Sequence, residues 1–264
     1  MTNPLPNPTG EPYGEIAALR YNMFEDRPTG FARRAAPRIA AFYTLRSIPE
    51  VNPSVLDLGC GTGQLASYLL DRGIPVTGID PSKHMLRHAM RNSAAHLATG
   101  RARFVVMDGA ALSLSESVGL TVATFNTLNH LSSHEHLRSC LSCVYQATAP
   151  GGYFLFDIDT RQGLQRTAEI AELSETDEET TFRIRRFDGE KVVLYATGWF
   201  MCDQRRYPYR ETIAKIVIDT EALRRTMAYV GWSSLSYTTN DYCTPVENAE
   251  DGVRAYGVAW RGGS

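Results

Sequence analysis

The sequence predicts an α/β fold with a doubly wound, mostly parallel sheet and a small antiparallel β insertion. Three patterns lead to this class. Short apolar segments alternate with helical segments between residues 51 and 160, as they do in βαβ units. A glycine-rich turn, Gly59–Gly63, separates the first apolar segment from its helix. After Asp159, apolar and polar residues alternate, which is typical of strands with one buried face.

The first predicted elements are helical. Residues 1–12 are predicted as a flexible tail, Tyr13–Phe24 as a helix from its apolar spacing, and Phe31–Ile48 as a second helix. The strands that follow are predicted at Val55–Leu58, Pro75–Ile79, Phe104–Met107, Leu120–Phe125 and Tyr153–Phe156. The helices between them are predicted from Leu65, after the N-cap Ser82, and over His134–Ala149.

The insertion is predicted as three antiparallel strands, 180–187, 191–201 and 208–218, with Asp188-Gly189 as a turn. A helix over Thr220–Val230 and two strands near 232–237 and 254–261 complete the chain. The predicted organisation is a tail (1–12), an N-terminal helical segment (13–50), an α/β domain (51–160 and 220–264) and the insertion (161–219).

Composition narrows the class of protein. The 264 residues suit one large domain, or one domain carrying an insertion. There are 27 Lys and Arg against 29 Asp and Glu, so no basic surplus indicates nucleic acid or an anionic membrane as partner. Residues 1–10 have no apolar run, which argues against a signal peptide or a membrane span. Five cysteines without framework spacing favour a reduced, cytoplasmic protein.

The glycine-rich turn carries the strongest functional signal. It has the spacing GxGxG, whereas a dinucleotide fingerprint needs glycine at position 64, where Gln64 stands. Asp57 lies within the preceding strand, and a carboxylate there would be unfavourable beside a pyrophosphate. The same carboxylate can orient the cationic amino-acid end of a ligand. An NAD-type oxidoreductase is therefore disfavoured.

Two further acids follow strands at the same predicted edge of the sheet. Asp80 ends the second strand, where a carboxylate can accept hydrogen bonds from both hydroxyls of a ribose. Asp108 ends the third strand, where it can accept from an adenine amino group while Gly109 lets the ring lie close. Each could instead be an ordinary turn or helix-capping residue.

Across about residues 50–160 these motifs resemble the class I S-adenosylmethionine-dependent methyltransferases. Asp57 and the three glycines match the first motif of that family, Asp80 its ribose-binding acid, Asp108 its adenine-side acid, and Ala149–Gly152 the turn before its fifth strand. Gly119 departs from the pattern, because relatives usually have Asp there. The resemblance implies a seven-stranded Rossmann-like sheet, with S-adenosyl-L-methionine as cofactor and S-adenosyl-L-homocysteine as product. The implied cofactor-binding residues are Asp57, Gly59, Cys60, Gly61, Gly63, Asp80, Pro81, Met85, Asp108, Gly109 and Phe125.

Three segments also look like small-molecule N-methyltransferases that tailor amino sugars and lincosamide antibiotics. They are Tyr13–Ala17, Phe125–Leu131 and the antiparallel insertion. The likeness implies that the N-terminal helix forms a lid, that the insertion walls the acceptor site, and that subunits pair through it as a homodimer or higher oligomer. By the same likeness the substrate-binding residues are Tyr13, Tyr21, Phe125, Asn126 and His130.

Methyl transfer from an activated donor mainly requires that the two reactants be oriented. An amine must be neutral to attack, so His130 is the predicted catalytic base because histidine titrates near neutrality. Tyr13 and Tyr21 are predicted to orient the acceptor or to contact the sulfonium by cation–π attraction. A structural role remains an alternative for all three. N-, O- or C-methylation, and a non-catalytic S-adenosylmethionine-binding regulator, also stay open.

Other patterns are interpreted structurally. Cys140 and Cys143 lie within a helical pattern and suggest helix packing rather than a metal site. His130, His134 and His136 lack a surrounding carboxylate pattern, so no metal is expected. Residues 126–129 lack the prolines of nucleic-acid methyltransferases. The expected partner is a small-molecule acceptor, with neither nucleic acid nor membrane.

Overall fold

In a computed structural model, the structure describes residues 12–263. Apart from Pro12, the predicted tail lies outside the described residues. The helices are α1 (Glu15–Glu25), α2 (Phe31–Leu45), α3 (Ile48–Val51), α4 (Gln64–Leu70), α5 (Lys83–Asn92), α6 (Ala94–Ala98), α7 (His134–Ala147), α8 (Arg161–Thr167) and α9 (Thr220–Val230). The strands are β1 (Val55–Leu58), β2 (Val76–Asp80), β3 (Ala102–Val106), β4 (Val118–Ala123), β5 (Thr148–Asp159), β6 (Ala171–Glu175), β7 (Glu179–Phe187), β8 (Lys191–Cys202), β9 (Arg205–Ile216), β10 (Ser234–Thr238) and β11 (Arg254–Trp260).

The main sheet has seven strands in the order β10-β11-β5-β4-β1-β2-β3. Strands β1 to β5 are parallel, and β11 pairs antiparallel with both β5 and β10. The predicted fold class is therefore confirmed. The strand order reverses between β1 and β4, and in open α/β sheets ligands bind at the carboxyl ends of the strands beside such a reversal.

Both faces of the main sheet are covered, and the central strands β1 and β4 are buried at every position. On one face, α7 and α9 pack through residues such as Leu141 and Met227 against Phe154 and Phe156. On the other face, α2, α4 and α5 pack against Val55 and Leu120. Within the described residues, no helix combines the length and the apolar character that crossing a membrane requires.

The N-terminal helices differ from prediction at their ends. Helix α1 begins at Glu15, and Tyr13 precedes it in a left-handed conformation with φ of 57°. The prediction that Tyr13 lies on the helix is therefore wrong. Helix α2 stops at Leu45 because Ser47 also adopts positive φ, 49°, and a separate turn, α3, follows.

The insertion forms a four-stranded sheet, in the order β6-β7-β8-β9, rather than the three strands predicted. Strand β6 was missed because it is only five residues long and its residues are mostly exposed, so no buried apolar face marks it. The predicted turn between β7 and β8 is confirmed. There Asp188 accepts hydrogen bonds from the backbone N–H groups of Glu190 (2.9 Å) and Lys191 (2.7 Å), and Gly189 takes φ of 100°.

Helix α1 bridges the two sheets. On the insertion side, the Arg20 Nε donates to Glu179 Oε1 at 3.0 Å. On the main-sheet side, Gln64 Nε2 donates to Asn22 Oδ1 at 3.1 Å. These polar contacts fix the helix across the carboxyl edge of the parallel strands.

Gly119 in β4 has no room for the acid that is usual in relatives. A Cβ at this position would lie 2.1 Å from the backbone oxygen of Asn52. We expect Gly119→Asp to lower the free energy of unfolding by about 1–3 kcal/mol, because the backbone must shift to admit the side chain. Gly263→Asp is the matched control, since nothing lies within 4 Å of a Cβ there. Equal urea midpoints for the two variants would contradict this steric interpretation.

Candidate active site

A cavity of about 470 Å³ opens at the carboxyl edge of the parallel strands. Its walls are the turn after β1, the ends of β2 and β3, the segment after β4, helix α1 and one face of the antiparallel sheet. This is the edge at which the strand order reverses. The cavity therefore occupies the position at which doubly wound folds bind ligands.

The three glycines of the turn after β1 are required by its backbone. Gly59, Gly61 and Gly63 have φ of 66°, 54° and 81°, in the left-handed region that side chains disfavour. A Cβ on Gly59 would lie 2.6 Å from Thr127 Cγ2. The ring of Tyr21 lies directly over Gly61, with Cε1 3.4 Å from where a Cβ would be. The turn thus exposes bare backbone to the cavity.

Cys60, within this turn, differs in role from the glycines. Its Sγ packs against the backbone of Gly78, 2.9 Å from where a Cβ would stand. Burial, and then the nearby carboxyls of Asp57 and Asp80, raise the pKa of the Cys60 thiol well above its ordinary value. The thiol is therefore protonated and packs against the sheet, so the residue offers a ligand its backbone only.

Asp80 closes the turn from the end of β2. Its Oδ2 accepts from the Gly61 N–H at 3.0 Å and its Oδ1 accepts from the Ser82 N–H at 2.8 Å. Burial raises the pKa of the Asp80 carboxyl, and these two hydrogen bonds oppose that shift. Each oxygen can accept further bonds, so the carboxylate can still receive a pair of ligand hydroxyls.

Asp57 lies in β1 with only 1% of its surface exposed. Its Oδ2 has no hydrogen-bond partner within residues 12–263. Burial, and to a smaller extent Asp80, raise the pKa of its carboxyl to about 7. A buried carboxylate without a partner is costly, and a cationic ligand group would satisfy it. The residue therefore fits the ammonium group of S-adenosylmethionine.

Asp108 lies at the outer end of the cavity, after β3. Its Oδ1 accepts from the Ala110 N–H at 2.9 Å and lies 2.8 Å from His136 Nε2. His136 was not predicted for this site. Its Nδ1 lies 2.9 Å from Ser132 Oγ, four residues earlier in the chain. At the neighbouring Gly109, a Cβ would lie 2.9 Å from Leu58 Cδ1. Glycine is thus required there by close packing.

Aromatic rings form the wall opposite the glycine turn. Phe125 stacks on Phe31, with ring centroids 4.9 Å apart and planes at 18°, and lies 6.0 Å from the ring of Tyr21. Pro81 and Met85 line the same cavity. This wall is apolar, whereas the turn after β1 is polar.

Asp157 holds the segment after β4 in place. Phe125 and Asn126 both have positive φ, 59° and 52°, which is unusual for side-chain-bearing residues. Their N–H groups donate to Asp157 Oδ1 and Oδ2 at 2.7 and 2.8 Å, and Arg254 Nη1 donates to Oδ2 at 2.9 Å. Sequence reasoning missed Asp157, although an acid within an apolar strand was the available signal.

Asp159, two residues further along β5, ties the same segment to the insertion. It accepts from Lys215 Nζ at 2.8 Å and from Arg254 Nη2 at 3.1 Å. Burial alone would raise the pKa of Asp159, but these two cations hold it below its ordinary value. Asn129 Nδ2 donates to the backbone oxygens of Asp159 and Ile216 at 3.1 and 3.0 Å.

Tyr13 and His130 meet in the cavity, although 117 residues separate them. His130 Nε2 lies 2.8 Å from Asn126 Oδ1, which can only accept, so Nε2 carries the proton. His130 Nδ1 is then the acceptor for the Tyr13 hydroxyl at 3.0 Å. Burial, followed by Lys215, lowers the pKa of His130 to about 3, and burial raises the pKa of Tyr13. Both groups are neutral near pH 7.

The insertion supplies two charged groups that sequence reasoning did not identify. Arg183 in β7 and Glu211 in β9 both line the cavity. The available signal was that each belongs to a strand in which apolar and polar residues alternate, at a position that faces inward. The residues lining the cavity include every predicted substrate-binding residue and all predicted cofactor-binding residues except Asp57, Cys60 and Gly63, and they add His136, Arg183 and Glu211.

Comparison with known proteins supports the type of domain. Residues 55–152 match the sequence model of a family described as methyltransferase domain. Residues 55–152 are a methyltransferase domain. The resemblance to class I S-adenosylmethionine-dependent methyltransferases is thereby confirmed, and the interpretation as an NAD-type oxidoreductase is set aside.

Among curated relatives, a putative methyltransferase of Geobacillus sp. is 30% identical over 128 residues, which are 48% of this chain and 51% of that protein. The chain thus spans about half the length of this relative.

Solved methyltransferase structures share the fold of the whole chain. An S-adenosylmethionine-dependent methyltransferase from Clostridium acetobutylicum is 19% identical, with a TM-score of 0.80 over 95% of this chain and 99% of that one. The sugar N-methyltransferase KedS8 from Streptoalloteichus is 15% identical, with a TM-score of 0.72 over 99% of both chains. At these identities the similarity concerns the fold.

We expect the buried carboxyl of Asp57 to make cofactor affinity depend on pH. A bound ammonium favours the ionised carboxylate, so affinity for S-adenosylhomocysteine should be highest above the Asp57 pKa of about 7. Below it, affinity should fall, with a limiting slope of about tenfold per pH unit. Calorimetry between about pH 5.5 and 7.5 checks this, because the ammonium group of the ligand, which lies beside a free carboxylate, stays protonated over that range.

Asp57→Asn should bind the ligand more weakly and lose most of this slope. Asp71→Asn, at an exposed site away from the cavity, is the control and should keep it. An unchanged slope in Asp57→Asn would contradict the assignment of the ammonium to this carboxylate.

Proposed function

We propose that this protein transfers the methyl group of S-adenosylmethionine to an amine nitrogen of a small molecule. The observation that carries the proposal is the continuity of one cavity. It runs from the glycine turn and its two acids to the Tyr13–His130 pair and the inner face of the antiparallel sheet. Cofactor and acceptor would thus share one enclosed space, with α1 as the lid and the insertion as the acceptor wall.

The residues around the glycine turn fit this cofactor group by group. Asp57 would hold the ammonium, Asp80 the two ribose hydroxyls, and Asp108 the adenine amino group. When bound, the cofactor supplies a methyl group activated by its positively charged sulfur. The faces of Tyr21 and Phe125 would favour that positive charge by cation–π attraction.

On the acceptor side, Tyr13 would orient the nucleophile. Its hydrogen is engaged by His130, so its oxygen lone pairs are free to accept an N–H from an amine. His130 would then act by positioning Tyr13. Its role as general base remains a prediction, and the lowering of its pKa to about 3 argues against it.

The neutral state of Tyr13 and His130 favours a nitrogen acceptor over an oxygen acceptor. An alcohol loses its proton only to a strong base, whereas an amine needs only to be neutral when it attacks. Burial keeps the Tyr13 hydroxyl protonated by raising its pKa, and it makes His130 a weak base by lowering its pKa to about 3, so neither group can deprotonate an alcohol near pH 7. The similarity in fold to a sugar N-methyltransferase agrees with an amine acceptor.

The acceptor atom can be tested with S-adenosylmethionine carrying a ¹³C-labelled methyl group. We expect NMR to show N-methyl products from benzylamine and cyclohexylamine, and much slower reaction of benzyl alcohol and cyclohexanol. Equal or faster methylation of the alcohols would favour an O-methyltransferase. Binding of S-adenosylhomocysteine without turnover of any compound would favour a non-catalytic regulator.

The Tyr13–His130 pair can be tested by substitution. Tyr13→Phe and His130→Ala should each lower turnover by about tenfold, the effect of losing one orienting hydrogen bond, and leave S-adenosylhomocysteine affinity unchanged. Tyr229→Phe and His134→Ala, both at exposed positions, are the controls. A loss of about 10²–10⁴-fold in His130→Ala would instead support a general base.

A further inference from the structure

The inner face of the antiparallel sheet carries one row of residues that spans three strands. Arg183 in β7 pairs with Ala196 in β8, and Ala196 pairs with Glu211 in β9. All three line the cavity. The small side chain of Ala196 leaves the space between the two charged residues open to a ligand.

Arg183 is the cation of this wall that lacks a partner. Within residues 12–263 it makes no salt bridge and no side-chain hydrogen bond, and it acts only from a distance on Glu179, which is paired with Arg20. The other cations of the cavity wall all have carboxylate partners within the protein: Lys215 pairs with Asp159, Arg254 with Asp157 and Asp159, and Arg20 with Glu179. The guanidinium of Arg183 is thus available to an anionic group of a ligand.

Glu211 is the matching anion, with only 9% of its surface exposed. The Tyr13 backbone N–H and Arg20 both lie near it. It makes no salt bridge within the described part of the chain. Because a buried carboxylate is costly without a cationic partner, a positively charged group of a ligand would stabilise Glu211.

The order of the strands determines how a ligand held by both charged residues would be oriented. Strand β9 packs against α1 and against the segment after β4, and Glu211 is close enough to Tyr13 to help raise the pKa of its hydroxyl. Strand β7 is two strands further out. At about 4.7–4.9 Å per strand, the Cα atoms of Arg183 and Glu211 are roughly 10 Å apart. An acceptor amine at Glu211 would face the methyl donor, and its anionic group would point outward.

The cavity also limits the size of the acceptor. Its 470 Å³ would hold cofactor and acceptor together, whereas pockets for a single drug-sized ligand measure about 300–1,000 Å³. The space left beside the cofactor suits a molecule the size of an amino acid.

We infer that the methyl acceptor is a small amino acid whose amine binds at Glu211 and whose carboxylate binds at Arg183, several bonds away. This inference rests on the proposed function. The acceptor enters as an ammonium ion, and the Glu211 carboxylate takes one proton from it, forming an O–H bond and leaving the lone pair on nitrogen. Glu211 returns that proton to solvent after the product leaves.

Matched pairs of probes test the inference. Calorimetry on the complex with S-adenosylhomocysteine would compare β-alanine, γ-aminobutyrate and δ-aminovalerate with ethylamine, propylamine and butylamine, which lack the carboxylate. We expect at least one amino acid to bind about tenfold or more tightly than its amine, the effect of a charge-assisted hydrogen bond. Arg183→Met should remove that advantage without weakening the amine.

Glu211→Gln should weaken both members of a pair by a similar factor, because both carry the ammonium group. Arg186→Met is the matched control. It lies on the opposite face of β7, paired with Glu169, and should keep the full discrimination. Because S-adenosylhomocysteine binds elsewhere in the cavity, its affinity should be the same in all variants, which also reports that they fold.

The inference is overturned if no amino acid of the series binds, if the amines bind as tightly, or if Arg183→Met keeps the discrimination. These outcomes are separable from a failure of the proposed function. Failure of the wild-type protein to bind S-adenosylhomocysteine would refute the cofactor assignment itself, whereas normal cofactor binding without discrimination would refute only the amino-acid acceptor.

Discussion

The half of the cavity around Tyr13 and His130 depends on one carboxylate, that of Asp157. Two successive residues, Phe125 and Asn126, take left-handed backbone conformations that side chains disfavour by roughly 1–3 kcal/mol each. They do so because both N–H groups point at the two oxygens of this buried acid. The conformation places the Phe125 ring against Phe31 and brings the Asn126 amide to His130. The strain is thus offset by two hydrogen bonds to a charged group.

The same carboxylate begins a chain of charges that couples the two sheets. Arg254, in β11, links Asp157 to Asp159, and Lys215, in β9 of the insertion, completes the chain. A buried ion is tolerated only where it is paired and hydrogen-bonded, and here each acid contacts at least one cation. Through Lys215, the antiparallel sheet is thus tied to β5, the strand whose Asp157 holds the segment after β4.

The sequence predicts the glycine turn and its acids much better than the contact between Tyr13 and His130. Gly59, Gly61 and Asp80 lie in short stretches whose local conformation determines their role, so spacing alone locates them. The Tyr13–His130 contact joins residues 117 positions apart, and only the resemblance to known enzymes suggested it. The position of Tyr13 before the helix, and the short, mostly exposed strand β6, depend on tertiary packing that local periodicity does not encode.

Burial acts on the ionisable groups of the cavity in one consistent way. It raises the pKa of Asp57 and of Tyr13 and lowers that of His130, so in each case the charged form is disfavoured. A site of this kind is poorly suited to strong acid–base catalysis and well suited to holding charged ligands that compensate its own groups. Methyl transfer from an activated donor needs orientation above all. The low polarity that weakens His130 as a base therefore strengthens the electrostatic contacts by which Asp57 and Glu211 would orient the two reactants.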